Sequence, residues 1–317
     1  KSFNNFTNLK KEKVMYHVLP IGYMAGLLNI VLSPFMASAK IVLDSTFNAK
    51  SPLLFWKNIR KKRINTMWLT PTILSILNLR NIDKVQFQWN KKNIKNVFVG
   101  TSTLHPDVKK IFDKKFALNA LESYGSSECL LVSVNKKNNK SNLGCAGYLL
   151  SNIFYRVQNS KTAKASKSVG EIQLKTPHLM DGIIDPKSKK IVKISRNIWF
   201  KTGDIGYIDN QRRIFISDRK KDIIIKGGIN VSPKEIENVL MSFKDIVDAV
   251  VIPMNSKLWG QNIKAFVITE NNKNLNILKL KKHFIEFMSE FFFPIKFKNL
   301  KKFPRSKNGK ILKRKLK

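Results

Sequence analysis

Short apolar runs alternate with amphipathic stretches along the first part of the chain, as strands exchange with helices in an α/β architecture. "AKIVLDS" (39–45) reads as a buried strand. "SPLLFWKNIRKKRI" (51–64) then opens with Ser51-Pro52, and proline is favoured at the first helical position. "NTMWLTPTILSILNL" (65–79) repeats the scheme, an apolar strand and then a helix opened by Pro71. "KNVFVGTSTL" (95–104) is a strand running into a small-residue turn, with the helical "HPDVKKIFDKKF" behind it. From about residue 143 the texture changes to short strands broken by turn residues, "GEIQLKTP" and "RRIFISD", and "GYIDNQRRIFIS" reads as a hairpin turning at Asp209-Asn210. From about residue 219 strand-helix alternation returns. Ser232-Pro233-Lys234-Glu235 is a capping box, and Ile236, Val239, Leu240 and Phe243 then share one helical face. "DAVVIPM" and "IKAFVIT" read as strands and "ILKLKKHFIEFMSEFF" as a second amphipathic helix. The pattern divides the chain into an α/β part (1–142), a β-rich subdomain (143–218) and a small α+β domain (219–317).

From Val14 to Ala39 the chain carries no Asp, Glu, Lys or Arg, which is long enough to cross a bilayer. Pro20, Asn29, Ser33 and Pro34 interrupt it, and Gly22 and Gly26 loosen it, so a buried helix or helix-strand pair is expected and no membrane span. Charge enters next. Lys and Arg number 59 against 21 Asp and Glu, a formal net charge of +38 that could serve nucleic acid, an anionic membrane or an acidic partner. The basic residues are spread along the chain, lysine outnumbers arginine, and no zinc-finger or aromatic-basic spacing occurs. Solvated lysines on every face account for that distribution, and no nucleic-acid partner is expected. Cys129 and Cys145 form no metal or disulfide spacing, which fits a reducing cytoplasm. The chain opens on Lys1-Ser2-Phe3 rather than Met, the expectation for a fragment.

Four separated motifs follow in one order: "SYGSSE" (123–128), "FKTGDIGYID" (200–209), "SDRKKDIIIKGGINVSPKEIE" (217–237) and "FPRSKNGKILKRK" (303–315). A fifth, "GEIQLKTPHLMDG" (170–182), lies between the first two. Each is weak alone. Together, at this spacing, they resemble the adenylate-forming (AMP-binding) superfamily, which includes acyl- and aryl-CoA synthetases, adenylation domains of nonribosomal peptide synthetases, and beetle luciferases. The resemblance runs from about Leu19 to the last residue. It implies the remainder of a large multi-subdomain α/β adenylation domain with a β-rich subdomain, followed by a small mobile α+β C-terminal domain. The implied chemistry has two halves. A carboxylate attacks the α-phosphate of ATP to give an acyl-adenylate and pyrophosphate, and a thiol then displaces AMP, steps governed by positioning and charge stabilisation.

By that resemblance Tyr124 stacks on adenine, where a core tyrosine is the plain alternative, and Gly125 lets backbone approach the nucleotide. Ser127 stands where the family usually has Thr and offers a hydroxyl to the α-phosphate. Glu128 holds Mg²⁺, unless it caps a turn. Thr101 and Ser102 match the adenine-side turn loosely. Asp204, set in a tight turn before a hairpin, accepts both ribose hydroxyls, against an ordinary turn aspartate. Arg219 reaches ribose and phosphate, a multi-oxygen target that suits a guanidinium. Lys310, in a tail rich in basic residues, matches the lysine that bridges substrate carboxylate and α-phosphate. Lys221 is the implied hinge about which the C-terminal domain rotates between half-reactions, at an inter-domain surface formed by the charges of 218–222. The isoleucines after it start the mobile domain, and Gly227 and Gly228 turn towards the thiol tunnel.

Two departures qualify the resemblance. The family's Gly/Ser/Thr-rich phosphate loop is not in this chain and is expected just upstream of residue 1, so activity of this stretch alone is doubtful. In "LPIGYMAGLL" (19–28) Tyr23 stands at the usual His position, which borders the acyl pocket. "KKDIIIKGGINVSPKEIE" is closer to CoA ligases than to peptide-synthetase domains, so CoA is the expected acceptor, with an acyl carrier protein as the alternative. The hydrophobic 66–79 region suggests a fatty or aromatic acid. A non-catalytic remnant and a basic nucleic-acid-binding protein are the rival classes.

Overall fold

The structure, a computed structural model, describes residues 1–137, 144–159, 169–185, 187–270, 273–306 and 311–316. A seven-stranded sheet is formed by β1 (Val14–His17), β2 (Lys40–Leu43), β3 (Thr66–Leu69), β4 (Asn96–Val99), β5 (Ala120–Ser126), β6 (Leu130–Val134) and β7 (Tyr148–Leu149), in the order β2-β1-β3-β4-β5-β6-β7. Strands β1 to β5 pair in parallel, and β6 and β7 are antiparallel additions. Parallel neighbours require crossover connections, supplied here by helices such as Ser51–Lys61, Pro71–Asn78 and Pro106–Phe116. Each of these has proline in its first turn, and Thr70 caps the second by accepting from the Ile73 N–H at 3.2 Å. Strands β3 and β4 are buried along their whole length, as central strands covered on both faces should be. "AKIVLDS" does form a strand, but not a buried one. It is β2, the outermost of the described sheet, with Lys40 and Leu43 exposed, because only β1 pairs with it.

The second layer is antiparallel. Strands β8 (Phe154–Asn159) and β9 (Gly170–Lys175) are followed by a separate ribbon, β10 (Gly182–Ile184) with β11 (Ile191–Lys193), and then β12 (Phe200–Ile208) and β13 (Ile214–Arg219). The main sheet has the order β13-β12-β9-β8. Its inward residues Ile172, Leu174 and Ile214 pack into the same apolar cluster as the parallel sheet, so the β-rich stretch shares that core. The β12–β13 turn starts at Asp209 and runs through Arg212 (φ 61°), with the Asp209 carboxylate accepting from the Gln211 and Arg213 N–H groups.

A third sheet joins β14 (Ile224–Lys226), β15 (Ile229–Val231), β16 (Ile246–Ser256), β17 (Gly260–Thr269) and β18 (Lys296–Asn299). Helices Pro233–Met241 and Ile277–Phe287 pack on it, burying Ile236, Leu240, Leu280 and Phe284 in a core of their own. Ser232 caps the first helix by accepting from the Glu235 N–H at 3.1 Å.

The charge-free segment resolves into β1 and, after a turn, a π-helix at Ala25–Leu32, a rare form often found at functional sites. Among the described residues no helix is long and apolar enough to cross a membrane. The Pro20 carbonyl oxygen lies 1.9 Å from where a Cβ on Gly26 would sit, so only glycine lets the strand exit and the helix approach this closely. Gly26→Ala is therefore expected to destabilise the fold by about 1–3 kcal/mol, the usual range for overpacking a tight site. Urea unfolding of the variant beside the parent checks this, and equal midpoints would show that the segment relaxes freely.

Candidate active site

The site starts from a hairpin. Strand β5 runs parallel to β4 at the centre of the sheet, then turns at residues 127–129 into antiparallel β6. Leu130 takes a positive φ of 56° to make the return, and a Cβ on Gly125 would lie 2.3 Å from the Leu130 carbonyl oxygen. Gly125 is thus required by the hairpin's own crossing, a reason independent of any ligand. Ser127 is exposed at the tip. Glu128 is half-buried, its backbone carbonyl accepts from the Met180 N–H at 2.8 Å, and its carboxylate has no partner among the described residues.

The Tyr124 hydroxyl donates to Asp204 Oδ2 at 2.5 Å, and Arg219 Nε meets Asp204 Oδ1 at 2.7 Å. Three residues far apart in sequence thereby converge on one carboxylate that is only 3% exposed. Asp204 does not sit in a tight turn, as expected from its motif, but inside β12, directly across from Arg219 of β13. The neighbouring Gly203 adopts φ 71°, where the β9 register shifts, and that irregularity delivers the Thr-Gly-Asp sequence into a strand. Thr202 fixes the local backbone by accepting from the Asp204 N–H at 3.0 Å while donating to the Ile172 carbonyl at 2.7 Å. Burial pushes the Asp204 carboxyl above its ordinary range, opposed by the Tyr124 hydrogen bond and the Arg219 charge. Burial, reinforced by the Asp204 charge, likewise pushes the Tyr124 phenol well up, so it stays a neutral donor. Arg219 is about half exposed, with guanidinium surface left over for a ligand.

Thr101 and Ser102 follow β4, with Thr101 at φ 78° and Ser102 exposed. The Ser123 hydroxyl donates to the Val99 carbonyl at 3.0 Å, tying this bend to the strand that carries Tyr124. Among the hinge charges, Asp218 accepts from the Ser232 hydroxyl at 2.6 Å and the Lys234 N–H at 3.3 Å, and Lys220 pairs with Glu171 at 2.8 Å. Lys221 is exposed between β13 and β14 and has no side-chain partner among the described residues. Gly227 and Gly228 form the two-residue β14–β15 turn with φ 57° and 80°, which L-residues rarely adopt. Gly227 packs on Trp259 and Phe291 within the third sheet's domain rather than beside Asp204. Lys310 lies outside the described residues. Tyr23, at the usual His position, has a buried hydroxyl without a partner, and burial pushes it up to about 12.

Glu122 was not singled out by the motifs. It lies two positions before Tyr124 in the same strand, is buried, and is pushed up to about 8 by that burial despite the charges of Lys109 and Lys234 nearby. Lys234, itself depressed by burial, donates to the Ile216 carbonyl at 3.0 Å. The available signal was a lone acid in an apolar strand.

Comparison with known proteins follows the same outline. The family model described as AMP-binding enzyme matches residues 2–184, and that of the AMP-binding enzyme C-terminal domain matches residues 235–310. A long-chain-fatty-acid–CoA ligase of Bacillus subtilis is 29% identical over 309 residues, covering 96% of this chain and 54% of the relative. A probable CoA ligase of Humulus lupulus is 28% identical, with 96% and 56% covered. The chain thus spans little more than half the length of these relatives. Among solved structures, the ATP-bound MatB protein of Rhodopseudomonas palustris superposes with a TM-score of 0.87 at 23% identity, over 99% of this chain and 61% of that one. An o-succinylbenzoate CoA synthetase of Bacillus subtilis, in complex with its acyl-adenylate intermediate, gives 0.81 at 23%, over 100% and 63%. At these identities the likeness establishes the fold.

The buried acid makes a pH prediction. Glu122 ionises near 8 in the folded chain against 4.5 in an ordinary setting, so its protonated form stabilises the fold fully below about 4.5. That contribution is lost as pH rises through about 8. Glu122→Gln removes the titration, so from pH 5 to pH 8 the parent should lose about 3 kcal/mol relative to the variant. Urea unfolding of both at the two pH values measures the gap; a constant gap would show that Glu122 does not titrate there.

Proposed function

The chain belongs to the AMP-binding enzyme family, and we propose that it activates a carboxylic acid with ATP as an acyl-adenylate and passes the acyl group to CoA. The observation that carries this reading is the convergence of Tyr124 and Arg219 on the buried Asp204 carboxylate. A buried carboxylate with two fixed donors is prepaid in desolvation and held in one orientation. Two ribose hydroxyls can replace those donors at little further cost. The ring of Tyr124, released from Asp204, then presents a face to adenine beside Thr101 and Ser102, and Arg219 follows the ribose towards the phosphates. Ser127 at the hairpin tip offers its hydroxyl to the α-phosphate.

Among the described residues no cluster of three or more His, Cys, Asp or Glu could hold a metal by itself. Glu128, a carboxylate without a partner among the described residues, fits Mg²⁺ whose remaining ligands would be phosphate oxygens and water. Such an ion would neutralise charge on the triphosphate. Lys310 would bridge the incoming carboxylate and the α-phosphate in this half-reaction. Lys221 is then the pivot, which suits its exposure and lack of a side-chain partner among the described residues, and Gly227 and Gly228 would line the thiol path after rotation. The relatives named as CoA ligases support CoA over a carrier protein as acceptor.

Two experiments on the active protein test the assignments. Asp204→Ala should weaken ATP binding at least tenfold by calorimetry, since losing a charged hydrogen-bonding partner costs about 1.5–3 kcal/mol. Unchanged affinity would make Asp204 a structural residue only. Lys221→Pro fixes φ near −65° at the pivot. Pyrophosphate exchange should survive while thioester formation slows at least tenfold; equal changes in both would remove the hinge from the mechanism.

A further inference from the structure

Among the described residues the β10–β11 ribbon stands apart from all three sheets, pairing only with itself. Its register places Ile183 opposite Val192 and Ile184 opposite Ile191. Side chains alternate between the two faces of a ribbon, so one apolar pair lies on each face. All four are more than half exposed: Ile183 53%, Ile184 64%, Ile191 66% and Val192 57%. Isolated two-stranded ribbons are marginal in water, and β-branched residues exposed on both faces gain nothing from the fold described here.

Cations surround this apolar ribbon. Lys187, Lys189 and Lys190 lie in the connection between its strands, and Lys193 follows β11; all are exposed. Of the two nearby acids one is ion-paired and the other keeps its charge, which leaves the four lysines in excess. The Asp185 carboxylate accepts from the Lys187 and Ser188 N–H groups, and Asp181 pairs with Arg196 at 2.6 Å. At its base the ribbon is firmly mounted. The Ile194 N–H donates to the Asp181 carbonyl at 2.8 Å, and the adjoining Met180 N–H donates to the Glu128 carbonyl in the candidate site.

We propose that this ribbon docks the protein on an anionic lipid bilayer, its four apolar side chains entering the headgroup boundary and its lysines meeting lipid phosphates and carboxylates. The interfacial zone of a bilayer surrounds both faces of an inserted ribbon at once, which suits apolar side chains on each. The complementary charge selects an anionic leaflet. Because Met180 joins the ribbon base to the Glu128 turn, docking sets the candidate site beside the membrane surface.

The test is co-sedimentation of the whole protein with extruded vesicles of phosphatidylcholine alone or with 30% phosphatidylserine, about three parts in ten, chosen to give an anionic surface. Two variants accompany it. Ile184→Ser/Val192→Ser changes one residue per face and keeps every charge. Lys187→Ser/Lys189→Ser/Lys190→Ser removes three cations, each expected to matter about fivefold at an anionic surface. These positions are exposed, and unchanged thermal transitions verify folding. The parent should bind anionic vesicles at least tenfold more tightly than neutral ones, and each variant should lose at least tenfold. Full binding by the serine pair would assign the effect to the general +38 charge and overturn the proposal. Absence of parental binding would overturn it equally. So would a concentration-dependent dimer abolished by the serine pair without vesicle binding, since the ribbon would then be covered by a second copy.

Discussion

The buried carboxylate of Asp204 is the constraint around which the site is arranged. Burial alone would drive it to hold a proton, and it keeps a place in the interior because the Tyr124 hydroxyl and the Arg219 guanidinium meet its two oxygens. Meeting those requirements obliges the parallel sheet, which carries Tyr124 on β5, to abut the antiparallel sheet, which carries Asp204 and Arg219 on β12 and β13. The shared apolar cluster beneath them supplies the attraction that holds the two sheets together, and the carboxylate sets their orientation.

The same logic extends to the third sheet's domain, which has its own core and touches the rest mainly through polar groups. Asp218 receives the Ser232 hydroxyl, Lys234 donates to the Ile216 carbonyl, and Arg305, paired within its own domain with Asp248, reaches Thr72. Polar contacts of this kind are individually weak and replaceable by water, unlike an apolar interface whose separation exposes large area. A domain joined in this way can be repositioned at modest cost, and Lys221, without a side-chain partner among the described residues, lies on the connecting strand-to-strand passage.

How far the sequence could be read depended on whether a feature was local. Helix starts at Pro52, Pro71 and Pro106, the Ser232 cap, and the Gly227-Gly228 turn follow from near-neighbour chemistry and were legible at once. The strand "AKIVLDS" was legible as a strand but not as an edge, because partner number is not written in a strand's own composition. The charge-free run was legible as buried strand and helix interrupted by proline and glycine, yet the π-helix and the close approach of Pro20 to Gly26 were not. The position of Asp204 inside a strand, rather than in a turn, hangs on the register shift beside Gly203.

The motif residues themselves, Tyr124, Gly125, Asp204 and Arg219, were singled out through the resemblance of their motifs to the adenylate-forming superfamily. Only the tertiary structure decided what they do for one another: that the tyrosine hydroxyl and the arginine share one carboxylate, and that the glycine is needed by the hairpin before any ligand arrives. It also exposed Glu122 as a buried acid, its pKa pushed up, behind the site, and the β10–β11 ribbon as an apolar surface uncovered by the described residues. Burial, pKa and exposure are properties of how distant segments pack, and a linear pattern records the propensity of a residue to be buried but not the neighbours that bury it.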